Sequence, residues 1–452
     1  MFSLDPLKLI NWISQRWHNS ETPIVLAVLI PGLIYALFKY TDIASLSVRQ
    51  ILAIILPTII VLTYWVISNR PPRAPKGMVG FIVAISAEDD TEMQRLKADF
   101  IDNLTNLLST EEMTYPFKVI VYPPYLAEKI TAVDDASTAL RKSRARFILY
   151  GKGKIRTISG KEQHCLNLEG VVRHGKIPNV TQQKFSKEFI ELLPRRLLFE
   201  KDNDLFSFQI TSELADIVSR YIIGIASLVS GELEYAESLF LGIKKRISNV
   251  VSHFPAIITI KQRIPLRLID VHTAWAIWHF NNWRANRNKE MLSKAEEHID
   301  TIIQISGDIN YFAELSKAIC CMVLRRDVNA ARKHIRLCRK IKDATWRYSD
   351  AFLSAYEGKL KDSYNKYRGA FKNKCEDSVP VQSEEFIQEI IEEEPHRKDL
   401  HFCLGLINYY AKEDYRQAKR DFEIFSSENN SVKNTQVLEI VESHIMGCTK
   451  KI

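Results

Sequence analysis

The chain has 452 residues and is 46% hydrophobic, so it is long enough for two or three domains and apolar enough to give each a core. Its 62 lysines and arginines exceed its 54 acidic residues by eight, a mild surplus that suits an anionic membrane face better than a dedicated nucleic-acid binder. Seven cysteines, an odd number with no CxxC spacing, argue against a disulfide framework and indicate reduced thiols in a cytosolic compartment.

Two uncharged runs near the N-terminus predict a pair of membrane-spanning helices. Residues 22–38 read TPIVLAVLIPGLIYALF, and residues 50–69 read QILAIILPTIIVLTYWVISN. Roughly 17–25 apolar residues cross a hydrocarbon layer of about 30 Å. Backbone groups in lipid must bond within their own segment, so both runs are expected to be helical, with kinks at Pro31 and Pro57. A signal peptide is the alternative for the first run, but no small-residue cleavage site follows it.

The charges flanking these runs predict the orientation of the hairpin. Five basic residues lie outside the pair and two in the connecting loop, which favours both termini on the cytoplasmic side of an inner or plasma membrane. Residues 1–21 predict an interfacial amphipathic helix, because Leu9, Ile13 and Trp17 share one helical face. Residues 70–76 read as a proline-rich basic linker.

Residues 77–200 alternate short apolar runs with helical spacing, which predicts a compact α/β domain. After the first strand, Ser86 and the acids at 88, 89, 90 and 92 are typical of a capped helix N-terminus. The predicted order is β-α-β-α-β-β-β, with strands at Val79–Ile85, Phe117–Tyr122 and Phe147–Gly151, a basic strand from 152 to a turn at Ser159-Gly160, and a returning strand at Cys165–His174.

Part of this domain is similar to a known family. The run Arg144-Ala145-Arg146-Phe147, the strand to Gly151, the basic strand, the Gly160 turn and the returning strand resemble TolB amino-terminal-like domains. Such domains occur in membrane-anchored bacterial proteins, often ahead of tetratricopeptide repeats. The resemblance implies a protein-interaction or sensory module without catalytic residues.

Residues 201–452 lose strand patterns and follow helical spacing, which predicts an all-α domain. Gly224, Gly231, Ala236 and Phe240 have the offsets of the small and aromatic positions of a tetratricopeptide repeat. In such a repeat, small residues let two helices cross closely and a bulky one fills the gap beyond. Further matches are Ala295 with Ile299, Ala331 with Ile335, Gly358 with Ser363 and Tyr367, and Ala418 with Phe422 after Leu404-Gly405.

The spacing of these matches is irregular. The small position recurs in steps of 59, 36, 32 and 55 residues, two of which are near a 34-residue period, so the region resembles degenerate tetratricopeptide repeats. An irregular helical bundle is the alternative, because a small residue followed four positions later by an aromatic one is common in amphipathic helices. The whole chain is thus expected to be an α+β multi-domain membrane protein.

No pattern predicts catalysis, a cofactor or a metal site. The acids at 88–92 follow a strand end, where Mg²⁺ ligands collect in α/β sheets, but a helix cap explains them more simply. Basic residues between Arg141 and Arg156 suggest a nucleic-acid patch, yet Phe147 and Tyr150 among them read as core, and lipid headgroups suit the lysines equally. The histidines at 164, 174, 298, 334 and 401 lack metal-ligand spacing.

Two further clusters are interpreted as structural. The aromatic group Trp275, Trp278, Phe280 and Trp283 predicts helical core rather than a shelf for stacked bases. Residues 383–394 predict an amphipathic helix with a solvated acidic face, with docking of a basic partner as the alternative.

These observations favour a membrane-anchored scaffold or sensor, since helical repeats bind protein segments along a groove and perform no chemistry. The alternative is a bacterial anti-phage membrane effector, in which ligand sensing by the cytosolic part makes the hairpin oligomerise and disrupt the membrane. A third interpretation is an enzyme built on the acids at 88–92. The expected partners are the bilayer, a protein or peptide on the repeats and further copies of the chain, with nucleic acid disfavoured.

Overall fold

The structure is a computed structural model that describes residues 17–18, 21–39, 48–109, 117–158, 161–173, 197–200, 204–248, 255–339, 345–373, 375, 378–428 and 435–452. The chain divides into two compact units, Met1–Lys261 and Gln262–Ile452. A five-stranded sheet lies in the first unit and helices make up most of the rest, so the predicted α+β class is confirmed. The unit boundary differs from the one predicted after residue 200.

Two apolar helices, α1 (Thr22–Lys39) and α2 (Val48–Ser68), pack against each other near the start of the first unit. Within α2, the 18-residue segment Ile51–Ser68 has a mean hydropathy of 2.4 and no part of it is buried. In the described part of the chain, this is the one helix long and apolar enough to cross a membrane, since the apolar stretch of α1 ends at Ala36. Two spans were predicted, and by this criterion one helix qualifies.

The segments around these helices match the sequence in part. Both α1 and α2 continue through the prolines at which kinks were predicted, Pro31 and Pro57. The predicted interfacial helix lies outside the described residues, except near Trp17. The linker is non-helical as predicted, and the buried Ala74 donates its N–H to the Ser143 carbonyl at 2.9 Å.

The sheet has the strand order β2-β1-β3-β4-β5. Strand β1 lies between β2 and β3 and is parallel to both, whereas β3 with β4 and β4 with β5 are antiparallel. Their bounds are Val79–Ser86 for β1, Phe117–Val121 for β2, Ala145–Ile158 for β3, Lys161–Val172 for β4 and Leu197–Glu200 for β5.

The structure corrects the predicted strands at two points, since it joins two of them and adds β5, which was not predicted. Residues 147–151 and 152–158 were predicted as separate strands, but they form the single strand β3. The change in polarity near Lys152 marks the end of pairing with β1, after which β3 pairs with β4 alone. An apolar-to-polar change was therefore mistaken for a strand boundary.

Short helices cover both faces of the sheet. They are α3 (Asp90–Arg95), a π-helical turn (Leu96–Ile101), α4 (Asp102–Ser109), α5 (Pro124–Ala127) and α6 (Val133–Ser143). Helix α6 packs Ala136 and Leu140 against Ile82 and Ile148 of the sheet. On the other face, α4 and the π-helical turn contact the first long helix of the helical region.

The helical region follows in consecutive helices joined mostly by short turns. In chain order they are α7 (Asp204–Val229), α8 (Leu233–Ser248), α9 (Pro255–Asn286), α10 (Lys289–Ile305), α11 (Tyr311–Arg325), α12 (Val328–Cys338), α13 (Trp346–Tyr356), α14 (Leu360–Phe371), α15 (Ser378–Glu393), α16 (His401–Tyr410), α17 (Tyr415–Glu428) and α18 (Thr435–Lys451). Neighbours such as α7 with α8, α11 with α12, α13 with α14 and α16 with α17 pack as pairs. Helices α7 and α8 belong to the same unit as the sheet.

Candidate functional site

The residues predicted as repeat-signature positions are mostly buried where neighbouring helices touch. Gly224 and Gly405 are also buried. Fully buried side chains occupy the small and bulky positions, namely Ala236, Phe240, Ala295, Ile299, Ala331, Ile335, Ser363, Tyr367, Ala418 and Phe422. All ten therefore contribute to packing, and Ala331, Ile335 and Tyr367 also line the cavity described below.

Two of the helix pairs bring a glycine directly against an aromatic ring. A Cβ atom on Gly224 of α7 would lie 2.7 Å from Cε1 of Phe240 in α8. The same atom on Gly405 of α16 would lie 2.5 Å from Cε1 of Phe422 in α17. These distances are far below van der Waals contact, so only glycine permits this approach. The sequence spacing anticipated both pairings, even though Gly405 falls one position early.

Two other glycines end the first helix of a pair. Gly231 and Gly358 both have φ +78°, in the left-handed region that side chains other than glycine rarely adopt. The following N–H groups, of Glu232 and Lys359, donate to carbonyls five residues earlier at 2.9 and 2.8 Å. Helix pairs α7–α8 and α13–α14 thus turn in the same way, although a tetratricopeptide identity for the array stays a prediction.

The second unit contains a cavity of about 540 Å³ between its helices. Its walls come from the C-terminal end of α9 and from α11, α12, α13, α14 and α15. Much of its lining is apolar and includes Leu315, Ile319, Met322, Phe352 and Phe386. Leu315, Ile319 and Phe386 are half-buried, so they keep apolar surface facing the cavity. We call this cavity the groove.

Charged and polar side chains also line the groove. Arg284 donates through Nη2 to Oε1 of Gln382 at 3.4 Å, and Arg287 forms an ion pair with Glu389. Burial raises the pKa of the Glu389 carboxyl, and the charge of Arg287 opposes that shift. Glu385 is exposed in the same lining. The groove therefore combines apolar walls with groups of both signs and several hydrogen-bonding side chains.

The acidic helix predicted at residues 383–394 is present as part of α15, but its solvated acidic face is only partly correct. Glu384 and Glu389 are buried, with 7% and 4% exposure, and pair with Lys412 and Arg287. Most of the carboxylates that were considered as contacts for a basic partner protein are instead paired with basic residues of the chain itself. Tertiary packing turned these carboxylates inward, which helical spacing alone did not show.

A chain of buried polar groups joins α15, α16 and α17. Asn408 donates through Nδ2 to Glu384 and to Asp421, both at 3.1 Å, and Nδ1 of His401 lies 2.9 Å from Asp421. At one end of this series of contacts, Lys412 forms an ion pair with Glu384. Buried hydrogen-bond networks favour one arrangement of the helices that they join, although Oδ1 of Asn408 accepts no hydrogen bond from the residues that the structure describes. These contacts fix α15 from the side of α16 and α17.

The structure describes only some of the remaining sequence candidates. Glu88 and Asp89 are exposed, and the side chains of Asp90 and Glu92 lie outside the described residues. In the residues that the structure describes, no group of three His, Cys, Asp or Glu side chains is placed to hold a metal ion. Phe147 and Tyr150 are buried, which supports their interpretation as core over a nucleic-acid patch.

The aromatic group on α9 follows its predicted structural role at some positions only. Phe280 and Trp283 are buried, whereas Trp278 is 51% exposed, so the core interpretation is wrong for Trp278. Sequence reasoning also missed that His272 and His279, which lie about two turns apart on the same helix, meet His298 of α10. The seven-residue spacing of His272 and His279, which places them on one helical face, was the signal for this cluster.

Compared with known families, curated proteins and solved structures, the chain matches none of them. The geometry of its own residues is therefore the basis for assigning a function.

Proposed function

We propose that this protein is a membrane-anchored binding protein whose helical region holds a segment of a partner protein in the groove. The observation that carries the proposal is the roughly 540 Å³ apolar cavity between α9 and α15, lined by partly exposed apolar side chains. Cavities of about 300–1,000 Å³ with apolar walls and a few polar groups are typical of binding sites.

The anchor is supported by the surface of α2. Leu52, Leu56 and Ile60 are 57%, 60% and 58% exposed, and they belong to a helix without a charged residue from Ile51 to Ser68. Patches of this size on a soluble protein mark a surface that binds something apolar. Lipid can surround such a helix because the backbone N–H and C=O groups of a helix are hydrogen-bonded within the helix. We place α1 beside α2 as the second helix of the anchor, since the two pack together.

The lining of the groove indicates the chemistry of the partner. Leu315 and Ile319, one helical turn apart on α11, offer a flat apolar surface for one or two bulky side chains. Asn281, Gln382 and Ser349 add donors and acceptors that suit the backbone of a bound segment. The structure therefore supports a peptide segment with apolar anchors as the ligand class.

Site-specific photo-cross-linking tests this proposal in cells that produce the full chain. A photoreactive residue in place of Ile319 should yield a discrete cross-linked partner. The same residue in place of Leu337, which is 37% exposed on α12 and outside the groove lining, is the matched control. Leu315→Gln should weaken the captured complex about tenfold or more, because truncated apolar anchors dominate binding.

Two results would contradict the proposal. The first is a complex that forms equally from positions 319 and 337. The second is no complex from the groove while production of the chain depolarises cells, which would favour the pore-forming effector instead. Unchanged circular dichroism of each variant shows that the fold is retained.

A further inference from the structure

A second cavity, of about 390 Å³, lies at the C-terminal foot of α2 in the first unit. Trp65 and Asn69 line it from the end of the apolar helix, His18 from the residues before α1, and Tyr125 and Lys129 from the α/β domain. We call this cavity the foot pocket. It is the place where the membrane helices and the sheet domain contact each other within that unit.

Aromatic side chains frame the foot pocket. The indole N–H of Trp65 donates to the Trp17 carbonyl at 2.7 Å, and that of Trp17 donates to Oγ of Ser68 at 3.0 Å. The ring of His18 stacks on Tyr125 with centroids 3.7 Å apart and planes within 10°. Tryptophan and tyrosine favour the membrane–water interface because their rings are apolar and their N–H or O–H groups are polar. If α2 is the anchor, the foot pocket lies at the level of the lipid headgroups.

Two lysines give the foot pocket its charge. Lys129 and Lys142 are exposed, and neither has an acidic partner among the residues that the structure describes. The Nζ atom of Lys129 is 3.4 Å from the His18 carbonyl, which points its ammonium group along the pocket wall.

The one acid in the lining, Asp135, forms no ion pair with these lysines in the described part of the chain. Its carboxylate accepts the N–H groups of Thr131 and Ala132 at 3.1 and 3.2 Å and the Thr131 hydroxyl at 3.1 Å. These hydrogen bonds lower the pKa of Asp135 and hold its carboxylate against the backbone at the start of α6. The pocket thus offers cations and hydrogen-bond donors to an anionic ligand.

We propose that the foot pocket binds the phosphate headgroup of an anionic phospholipid. In this arrangement Lys129 and Lys142 pair with the phosphate oxygens, while Trp65 and Tyr125 contact the glycerol region. Such a lipid would fix the sheet domain against the membrane surface beside the anchor. The inference rests on the proposed membrane anchor but not on the groove.

Titration calorimetry on the full chain in a neutral detergent tests the site. Short-chain phosphatidylglycerol, short-chain phosphatidylcholine and inorganic phosphate are the three probes. Wild type should bind phosphatidylglycerol more tightly than phosphatidylcholine, and the double variant Lys129→Gln/Lys142→Gln should lose about 25-fold in affinity, or roughly fivefold for each lysine. The control is Lys97→Gln/Lys244→Gln, which removes two exposed charges from helices on the other side of the sheet and should bind as wild type does.

Equal affinity of wild type and Lys129→Gln/Lys142→Gln would overturn the proposal, as would equal affinity for the two lipids. Binding of inorganic phosphate as tight as that of phosphatidylglycerol would also overturn it and indicate a soluble phosphate compound. Membrane sedimentation of the same proteins separates this proposal from the anchor. A chain that sediments with membranes but shows no headgroup preference retains its anchor and lacks the lipid site.

Discussion

At the scale of single residues, three histidines on α9 and α10 make the second unit sensitive to acid. Nδ1 of His272 is 3.0 Å from Nδ1 of His298, so one ring donates an N–H group to the other, and protonation of the accepting nitrogen would set two N–H groups and a positive charge against each other. His279 stacks near His298 with centroids 5.5 Å apart. Burial and the two neighbouring imidazoles hold the pKa of His298 at about 4, and burial lowers that of His279.

Acidification is therefore expected to weaken the packing of α9 on α10. The unfolded chain takes up a proton on His298 below about pH 6.5, while the folded chain resists it down to about pH 4. Stability is thus fully present above pH 6.5 and falls as the pH drops towards 4, by about 1–2 kcal/mol once the partial exposure of His298 is allowed for. Thermal unfolding of the full chain between pH 7 and pH 4.5 measures the effect.

His298→Gln should flatten this pH dependence, whereas the control His396→Gln, at an exposed position outside the cluster, should preserve it. An unchanged slope in His298→Gln would show that other groups cause the loss of stability.

The glycine–aromatic contact between α16 and α17 predicts a steric effect. Gly405→Ala places a methyl group 2.5 Å from Cε1 of the fully buried Phe422, which has no free space to move into. Overpacking of this kind costs about 1–3 kcal/mol of unfolding free energy. Gly242→Ala is the matched control, because it lies inside α8 with nothing within 4 Å of the new methyl group. That variant should be neutral or more stable by up to about 1 kcal/mol.

Denaturant unfolding of both glycine variants measures the difference. If Gly405→Ala is as stable as Gly242→Ala, the close crossing of α16 and α17 does not exist in solution.

At the scale of helices, a single carboxylate ties α12, α13 and α14 together behind the groove. Asp350 of α13 is 3% exposed. It accepts from Arg332 and Arg339, both at 2.8 Å, and from Lys366 at 3.2 Å. The neighbouring residues Tyr348, Ser349 and Phe352 line the groove. The position of the groove wall therefore depends on an ion cluster on the opposite face of its helix.

Asp350→Asn should destabilise the second unit by about 1–3 kcal/mol, because it removes the charge of the buried carboxylate that Arg332, Arg339 and Lys366 share. Arg332 and Lys366 keep Glu357 and Asp362 as partners, which limits the loss. The control Glu290→Gln removes an exposed i,i+4 pair with Lys294 and should leave stability close to that of the wild type. Hydrogen exchange of the α12–α14 amides reports the local effect. Equal exchange in the two variants would mean that Asp350 does not hold these helices.

The helices also show which features of the fold could be predicted from the sequence and which could not. Spacing in the sequence identified positions of the helix pairs such as Gly224, Phe240 and Gly231. This was possible because the need for a small residue or for glycine at a turn depends on the local sequence. The groove was missed, because its lining comes from six helices that spacing does not bring together. Its best sequence signal was the apolar series Leu315, Ile319 and Met322 on one face of α11.

At the scale of the whole molecule, the chain forms two compact units, and we propose a different role for each. The first unit combines the apolar helices with the sheet, and the second contains the groove. The α+β class was predicted correctly because strand and helix periodicity are strong signals, whereas the anchor stays a prediction that rests on the long uncharged runs. The unit boundary was not predicted, since α7 and α8 look like the rest of the helical region and differ only in what they pack against.

The most direct test of the central claim is the distribution of the full-length chain after cell lysis without detergent. High-speed centrifugation should leave it in the membrane pellet, alkaline carbonate should not release it, and detergent should. These results are expected because the exposed apolar surface of α2 is stable in lipid and unstable in water. A full-length chain that stays in the supernatant would contradict the anchor and, with it, the membrane role proposed for the groove and the foot pocket.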